Sequence, residues 1–161
     1  MNDGTSLQDL SGRIDAPDLN VNADDFLVLQ NAGPLSDAAI PEAGYIPIPS
    51  KLAKAGVKDR VPISDARICG TAYGTIVLHV APDAASGGPI GLIRNGDRIT
   101  LSVKDHTIKL LVSDEELDAR LKSRKVEKRN APRGYDMLYW DHVLQADEGC
   151  DFDFLRGEPA E

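Results

Sequence analysis

The sequence has few cysteines, no long apolar run and no N-terminal targeting segment. Cys69 and Cys150 are its only cysteines, and they form no CxxC pair. A chain of 161 residues buries enough surface to fold without disulfides or metal. No apolar stretch approaches the length of about 18 residues that a membrane span needs. The opening MNDGTSLQDL lacks the basic and apolar regions of a signal peptide, so we expect a cytoplasmic protein.

The chain also lacks an excess of basic residues. It has 18 Lys and Arg against 26 Asp and Glu, a formal net charge of −8. This balance argues against nucleic acid and anionic membranes as partners. The one basic run, at 120–133, contains Glu127 and no aromatic residue, and is typical of a solvated helix end and linker. Neither GxGxxG nor a P-loop is present, so these nucleotide-binding motifs are excluded.

Short apolar runs separated by turn residues predict a fold of the α+β class. Strands are expected at 26–30, 60–63, 75–80, 90–93, 98–103 and 107–112. Short helices are expected near 6–14, 50–56, 115–124 and 135–144, the third opened by a capping box at Ser113 and Glu116. Strands this close together, with so few helices, favour a mixed sheet or small barrel of six or seven strands over a regular βαβ array.

The histidines and the C-terminal carboxylates give no clear site. His79, His106 and His142 are predicted in a buried strand, a hairpin turn and the last helix, and no two have the spacing of a metal pair. The acidic stretch at 147–153 lacks the glycine spacing and the alternating oxygen ligands of a calcium loop. Solvated or structural roles therefore explain these residues better than catalysis.

Two loops remain as candidate ligand sites. In the loop at 33–42, Glu42 follows small apolar residues, where a charge is costly unless it binds something. In the loop at 69–74, glycines flank Cys69 and Thr71, so backbone N–H groups and a hydroxyl are available to a carboxylate or hydroxyl oxygen. On the residues alone, each loop is either a ligand site or an ordinary turn.

Both loops belong to a set of motifs that resembles one family, the iron–sulfur dihydroxy-acid and sugar-acid dehydratases. These hydro-lyases, which include the phosphogluconate, arabinonate and xylonate dehydratases, remove water from 2,3-dihydroxy acids. The tail at 139–155 resembles the arabinonate-type branch. The motifs are LVLQNAGP (27–34), IPE (40–42), SDARI-x-GTAYG (64–74), LHVAPD-AA-x-GGP (78–89), SDEEL (113–117) and YWDHVLQADEGCDFDFL (139–155).

The resemblance is to the C-terminal part of such enzymes, and it implies a swivelling β-barrel of six to eight mixed strands flanked by short helices. It implies a divergent segment at 1–10, the barrel domain at 11–128, and a tail at 129–161 with a helix packed on the barrel. It also implies that an N-terminal dehydratase domain or subunit carries a [2Fe–2S] cluster and most ligands of Mg²⁺, and that the substrate is a small sugar acid. Self-association is the other partnership that the sequence leaves open.

The resemblance also assigns the site residues. Glu42 matches the glutamate that binds magnesium, Thr71 and Gly70 match the substrate-binding loop, and Cys69 stands at the position of the serine that acts as the base. The loop at 36–40 lacks the glycines that the family has there. Because two cysteines cannot hold a [2Fe–2S] cluster, we expect no cofactor to be bound by this chain alone.

Whether this chain is an enzyme therefore stays open on the sequence. One hypothesis is a stand-alone C-terminal dehydratase domain that is inactive without a cluster-bearing partner. The alternatives are a non-catalytic module that binds or senses small acids, a truncated remnant, and a thiol-dependent enzyme. The last requires a base near Cys69, which the sequence does not provide.

Overall fold

The computed structural model describes residues 7–43, 46–69, 74–125 and 133–157. Within these ranges, no helix has both the length and the apolar character needed to cross a bilayer. The described elements, in chain order, are α1 (Leu7–Arg13), β1 (Leu27–Leu29), α2 (Ser50–Lys54), β2 (Pro62–Ser64), a 3-10 helix (Pro89–Leu92), β3 (Ile99–Ser102), β4 (Thr107–Leu110), α3 (Asp114–Ser123), α4 (Tyr135–His142) and two short 3-10 turns (Ala146–Glu148 and Asp153–Leu155).

The strands form two small sheets. β1 and β2 are parallel, with Leu29 opposite Ser64, and Val77 adds a parallel bridge to Ile63 of β2. β3 and β4 form an antiparallel hairpin in which Ile99 lies opposite Leu110. The predicted α+β class is confirmed, since helices and small sheets of both strand directions share the domain. In the described ranges the strands do not close into a barrel.

The core lies on both faces of β1, because successive side chains of a strand point to opposite faces. Leu27 and Leu29 contribute to one cluster, which includes Ala32, Ile46 and Ala66. Val28, on the opposite face, packs against a second cluster formed by Ile63, Ala84 and Ile90. The two loops that follow β1 and β2 thus leave from a segment buried on both sides.

The hairpin and the helix after it agree with the sequence prediction. The strands expected at 98–103 and 107–112 are present as β3 and β4. Ser113 caps α3 as predicted, its hydroxyl accepting a hydrogen bond from the backbone N–H of Glu116 at 3.3 Å. α3 is anchored through Arg120, which is buried and donates to both carboxylate oxygens of Asp97.

Two predicted strands are wrong. The segment at 90–93 belongs to the 3-10 helix, in which Pro89 occupies the first turn, where its missing N–H costs nothing. The segment at 75–80 pairs regularly only at Val77. His79 in that segment is exposed and has a φ of 52°, a left-handed conformation that interrupts a strand. His79 is therefore not a buried strand residue, as the apolar run suggested.

Candidate functional site

The loop that carries Glu42 meets the segment leading to Cys69 beside the parallel strands. β1 and β2 run in the same direction, so the chain leaves both at the same edge of the sheet. Glu42, in the loop after β1, forms an isolated parallel bridge with Arg67, in the segment after β2. Cys69 follows Arg67 by two residues. Tertiary pairing thus brings together two of the segments that the sequence singles out.

The Glu42 side chain is exposed to solvent. The expectation that its charge is held among apolar residues is wrong, because the bridge to Arg67 uses the backbone and leaves the carboxylate at the surface. A hydrated carboxylate carries no burial penalty and is available to a cation or to a polar partner. Glu42 therefore remains a candidate ligand because it is exposed near Cys69, and not because its charge is buried.

Cys69 is also exposed. It lies two residues beyond Arg67, so an exposed cysteine follows directly on the segment that is bridged to Glu42. Gly70 and Thr71, the two expected substrate-binding residues, lie outside the described residues.

The loop before Glu42 is folded tightly on the carbonyl oxygen of Gly33. This oxygen accepts hydrogen bonds from the backbone N–H groups of Ser36 and Ile40 and from the buried hydroxyl of Ser36. Ala39 and Ile40 have φ values of 51° and 50°, which glycine adopts readily and other residues rarely do. The loop therefore keeps a tight turn although its own sequence at 36–40 contains no glycine.

Sequence reasoning missed Asp65 and Asp83, two fully buried carboxylates beneath these loops. Asp65 accepts hydrogen bonds from the backbone N–H groups of Ala32 and Ala84, and Asp83 accepts one from that of Leu35. Burial raises the pKa of the Asp65 carboxyl, while the two backbone donors act in the opposite direction. Both residues lie in motifs, SDAR and APDAA, in which a charge is embedded among small residues, and that pattern was the available signal.

Two of the remaining candidates lie close to these segments. The backbone N–H of His79 donates to the carbonyl oxygen of Ala66, and the Cys150 thiol interacts electrostatically with Asp83 and Arg67. His106 occupies the hairpin turn and His142 ends α4, as predicted, and the His142 Nδ1 lies 2.9 Å from the exposed carboxylate of Asp153. Cys150 is half-buried, and burial raises the pKa of its thiol.

The described residues do not fit an iron–sulfur cluster. No group of three or more His, Cys, Asp or Glu side chains in the described ranges has a metal-binding arrangement. A [2Fe–2S] cluster needs four ligands, and the whole sequence contains two cysteines. Exposed Glu42 does fit Mg²⁺ as a single carboxylate ligand, because this ion is commonly held by one or two carboxylates with its remaining ligands from elsewhere.

A cleft lined by described residues lies away from this edge. It has a volume of about 250 Å³, and its walls include the buried Arg60, whose guanidinium donates to the carbonyl oxygens of Asn22 and Asp25. The lining residues are Ala23, Asp24, Asp25, Phe26, Asp59, Arg60 and Val61. None of them comes from the Glu42 or Cys69 loop.

The known proteins that this chain matches are all named as dehydratases. The profile of the dihydroxy-acid/6-phosphogluconate dehydratase C-terminal family matches residues 5–150. The chain is 50% identical to the 6-deoxy-6-sulfo-D-gluconate dehydratase of Pseudomonas putida, over 94% of this chain and 26% of that protein. It is 50% identical to the L-arabonate dehydratase of Azospirillum brasilense, over 86% of this chain and 25% of that protein.

A dihydroxy-acid dehydratase of Flavobacterium psychrophilum is more distant, at 36% identity over 81% of this chain and 23% of that protein. The chain thus spans about a quarter of the length of the relatives it matches. The family profile covers nearly all of it, and the predicted resemblance is confirmed. The chain belongs to the dihydroxy-acid/6-phosphogluconate dehydratase C-terminal family.

Proposed function

We propose that this chain supplies the C-terminal half of a sugar-acid dehydratase active site. In this proposal Glu42 is a magnesium ligand, Cys69 occupies the position of the base, and Thr71 and Gly70 contact the substrate. The observation that carries the proposal is the backbone bridge between Glu42 and Arg67, which joins the two loops that the family motifs single out.

The proposed substrate is a polyhydroxy acid. The relatives at 50% identity are named for sulfogluconate and arabonate, whereas the named dihydroxy-acid dehydratase is 36% identical. Removal of the C2 proton and loss of the C3 hydroxyl as water convert such an acid into an enol, which becomes a 2-keto acid. Bound Mg²⁺ would supply Lewis acidity toward the substrate oxygens, and Glu42 would hold it from this side of the site.

Cys69 would then take the C2 proton. An ordinary cysteine has a pKa of about 8.5, so its thiolate is a much weaker base than a serine alkoxide. Its exposed position beside the Glu42 loop allows it to reach a substrate at this edge. We therefore expect a slow reaction even in a complete site, and none from this chain alone.

The proposed partner is the N-terminal dehydratase region, on the same polypeptide or on another. The relatives extend to about four times the matched length, and a region of that kind would supply the metal ligands that the described ranges do not offer. α4 carries no buried residue. Its Tyr135 is 73% exposed, and Leu155, in the nearby 3-10 turn, is 59% exposed. Apolar side chains left at the surface in this way favour a second domain over water as their neighbour.

The domain architecture belongs to the same proposal. It consists of a divergent segment at 1–10, a swivelling β-barrel at 11–128 and a tail at 129–161. The parallel pair β1–β2 and the hairpin β3–β4 would be parts of the barrel wall. The hinge of such a domain would let the edge carrying Glu42 and Cys69 close on the partner.

The test is reconstitution. The tagged chain is purified from its own cell extract, and the material is examined by ultraviolet–visible spectroscopy and assayed for dehydration of pentonic acids. A coloured, cysteine-rich partner, with turnover that is lost in Glu42→Gln and kept in the exposed control Glu115→Gln, would support the proposal. A complex whose turnover is unaffected by Glu42→Gln would overturn the role of Glu42.

A second function, a non-catalytic module that binds small acids, is favoured by Cys69 itself. The thiol stands where the resemblance calls for a stronger base, and such a change is tolerated if only binding is needed. Calorimetric titration with sugar acids distinguishes the two. Binding to the isolated chain without turnover in any complex, and no gain of turnover in Cys69→Ser, would favour the module.

A further inference from the structure

Asp65 and Asp83 are two carboxylates buried without a cationic partner among the described residues. Each is fully inaccessible, and neither forms an ion pair within the described part of the chain. Burying a carboxylate without a cation is unfavourable, and two neighbouring carboxylates also repel each other. Apolar side chains of similar size would leave the backbone N–H groups that these carboxylates bind without an acceptor, so the carboxylates are best explained by what they bind.

Asp65 joins three segments of chain. Its Oδ1 accepts the backbone N–H of Ala32 at 3.0 Å, and its Oδ2 accepts that of Ala84 at 2.8 Å. Asp65 itself directly follows β2 and lies four residues before Cys69. One carboxylate thus links the start of the Glu42 loop to the segment that leads into the Cys69 loop.

Asp83 binds the same loop at Leu35, three residues after the position that Asp65 binds. Its Oδ2 accepts the backbone N–H of Leu35 at 2.7 Å, and its Oδ1 accepts that of Ser86 at 2.7 Å. Gly33 runs so close that a Cβ there would lie 2.3 Å from the Asp83 Cβ. The loop is therefore seated directly on this side chain, without room for any residue but glycine.

The polar contacts continue into the C-terminal segment. The Gln145 side chain accepts the backbone N–H of Asp83 at 2.7 Å and donates to the Ser86 hydroxyl at 2.8 Å. Gln145 thus holds the backbone of Asp83 in place, while the Asp83 Oδ2 binds the Glu42 loop at Leu35.

We propose that Asp65 and Asp83 are positioning residues, which hold the Glu42 loop in register with the segment at 65–69, which ends at Cys69, through backbone hydrogen bonds. Their relevance to catalysis rests on the proposed function. The alternative is that the two carboxylates only stabilise the fold, without deciding where Glu42 lies relative to Cys69.

The experiment measures that relationship directly. A nitroxide is attached to Cys69 in a Cys150→Ser background, and its paramagnetic broadening of the backbone amides at 39–43 is recorded by NMR. Strong broadening is expected in the parent protein, because Glu42 is bridged to Arg67. In Asp65→Asn the amide offers an acceptor to only one of the two N–H groups, and the hydrogen bond that remains loses the strength given by an ionised acceptor. The broadening at 39–43 is then expected to weaken, while that of β2 persists.

The matched control is Asp97→Asn, which removes another poorly accessible carboxylate, one that lies in the hairpin and pairs with Arg120. It should lower stability and leave the broadening at 39–43 unchanged. Unchanged broadening in Asp65→Asn, or an equal loss in Asp97→Asn, would overturn the proposal, because a general loss of stability would then explain the data.

Gly33→Ala serves if Asp65→Asn does not fold. It keeps both carboxylates but pushes the loop off Asp83, and the same loss of broadening is expected. A folded Gly33→Ala with parental broadening would contradict the positioning role. The measurement needs no partner, substrate or turnover, so its failure is distinguishable from failure of the proposed dehydratase function.

Discussion

The backbone N–H of Ile40 donates to the carbonyl oxygen of Gly33 at 3.0 Å and closes the loop that leads to Glu42. Closing it requires a left-handed backbone at Ala39 and Ile40, with φ values of 51° and 50°. Residues other than glycine are strained in the left-handed conformation, by about 1 to 2 kcal/mol per residue. The strain lies immediately before the proposed magnesium ligand, where the fold tolerates it because the hydrogen bonds to Gly33 determine the turn.

Replacing Ala39 by glycine should relieve this strain. Ala39 is exposed, so nothing is lost from the core, and the gain is partly offset by the greater freedom of glycine in the unfolded chain. We expect Ala39→Gly to raise the free energy of unfolding by up to about 1 kcal/mol. Urea denaturation measures it, with Ala38→Gly as control. Ala38 has no left-handed φ, so that variant should lose stability, and equal losses in both would contradict the prediction.

The buried ion pair between Asp97 and Arg120 should be important for stability. Their side chains are only 11% and 9% exposed, and the Arg120 Nη1 lies 2.5 Å from the Asp97 Oδ2. Asp97→Asn leaves the buried guanidinium with Glu116 as its remaining carboxylate. We expect a loss of about 2 to 3 kcal/mol, near the lower end for a broken buried pair. Arg94→Gln, which removes an exposed pair with Glu116, should cost less than about 1 kcal/mol by the same measurement.

The same pair predicts how stability depends on acid. Hydrogen bonds from Arg120 hold the pKa of Asp97 below its ordinary value of 3.8. Below that pH the unfolded chain binds more protons than the folded one at this site. The contribution of Asp97 is therefore complete above 3.8 and is lost as the pH falls through its folded pKa. Urea unfolding across this range should give a shallower decline for Asp97→Asn than for the parent, and parallel curves would contradict the assignment.

The two thiols should react at different rates. Cys69 is exposed, whereas Cys150 is half-buried and burial raises its thiol pKa, which lowers the thiolate fraction at neutral pH. Iodoacetamide should therefore modify Cys69 first, as followed by mass spectrometry. The single-thiol variants Cys69→Ser and Cys150→Ser separate the two rates. Equal rates in these variants would argue against the different environments.

Predictions made from local patterns agree with the structure where the determining contacts are local. The hairpin of β3 and β4 is specified by apolar strands around a short turn, and the Ser113 cap by a residue three positions away. The runs at 75–80 and 90–93 show the limit of such patterns. Both are rich in apolar residues, but a left-handed His79 and an N-terminal Pro89 decide their backbone.

The candidate site divides in the same way. The motifs identify Glu42 and Cys69 as residues of interest, but an apolar neighbourhood in sequence did not mean a buried carboxylate, since Glu42 is exposed. Asp65 and Asp83 were not singled out, because the sequence does not reveal that their partners are the backbone amides of Ala32, Leu35 and Ala84. Backbone groups are the same at every position, so only the fold shows which of them a carboxylate binds.

The sequence by itself determined the α+β class, the family, the hairpin with its capped helix, and the absence of enough cysteines for a cluster. These depend on residue identity and on contacts between near neighbours. Only the tertiary structure decided that the Glu42 loop meets the Cys69 segment at Arg67, and that two buried carboxylates lie beneath them. Those relationships join residues far apart in the chain, and they exist because parallel strands deliver two distant loops to one edge of a sheet.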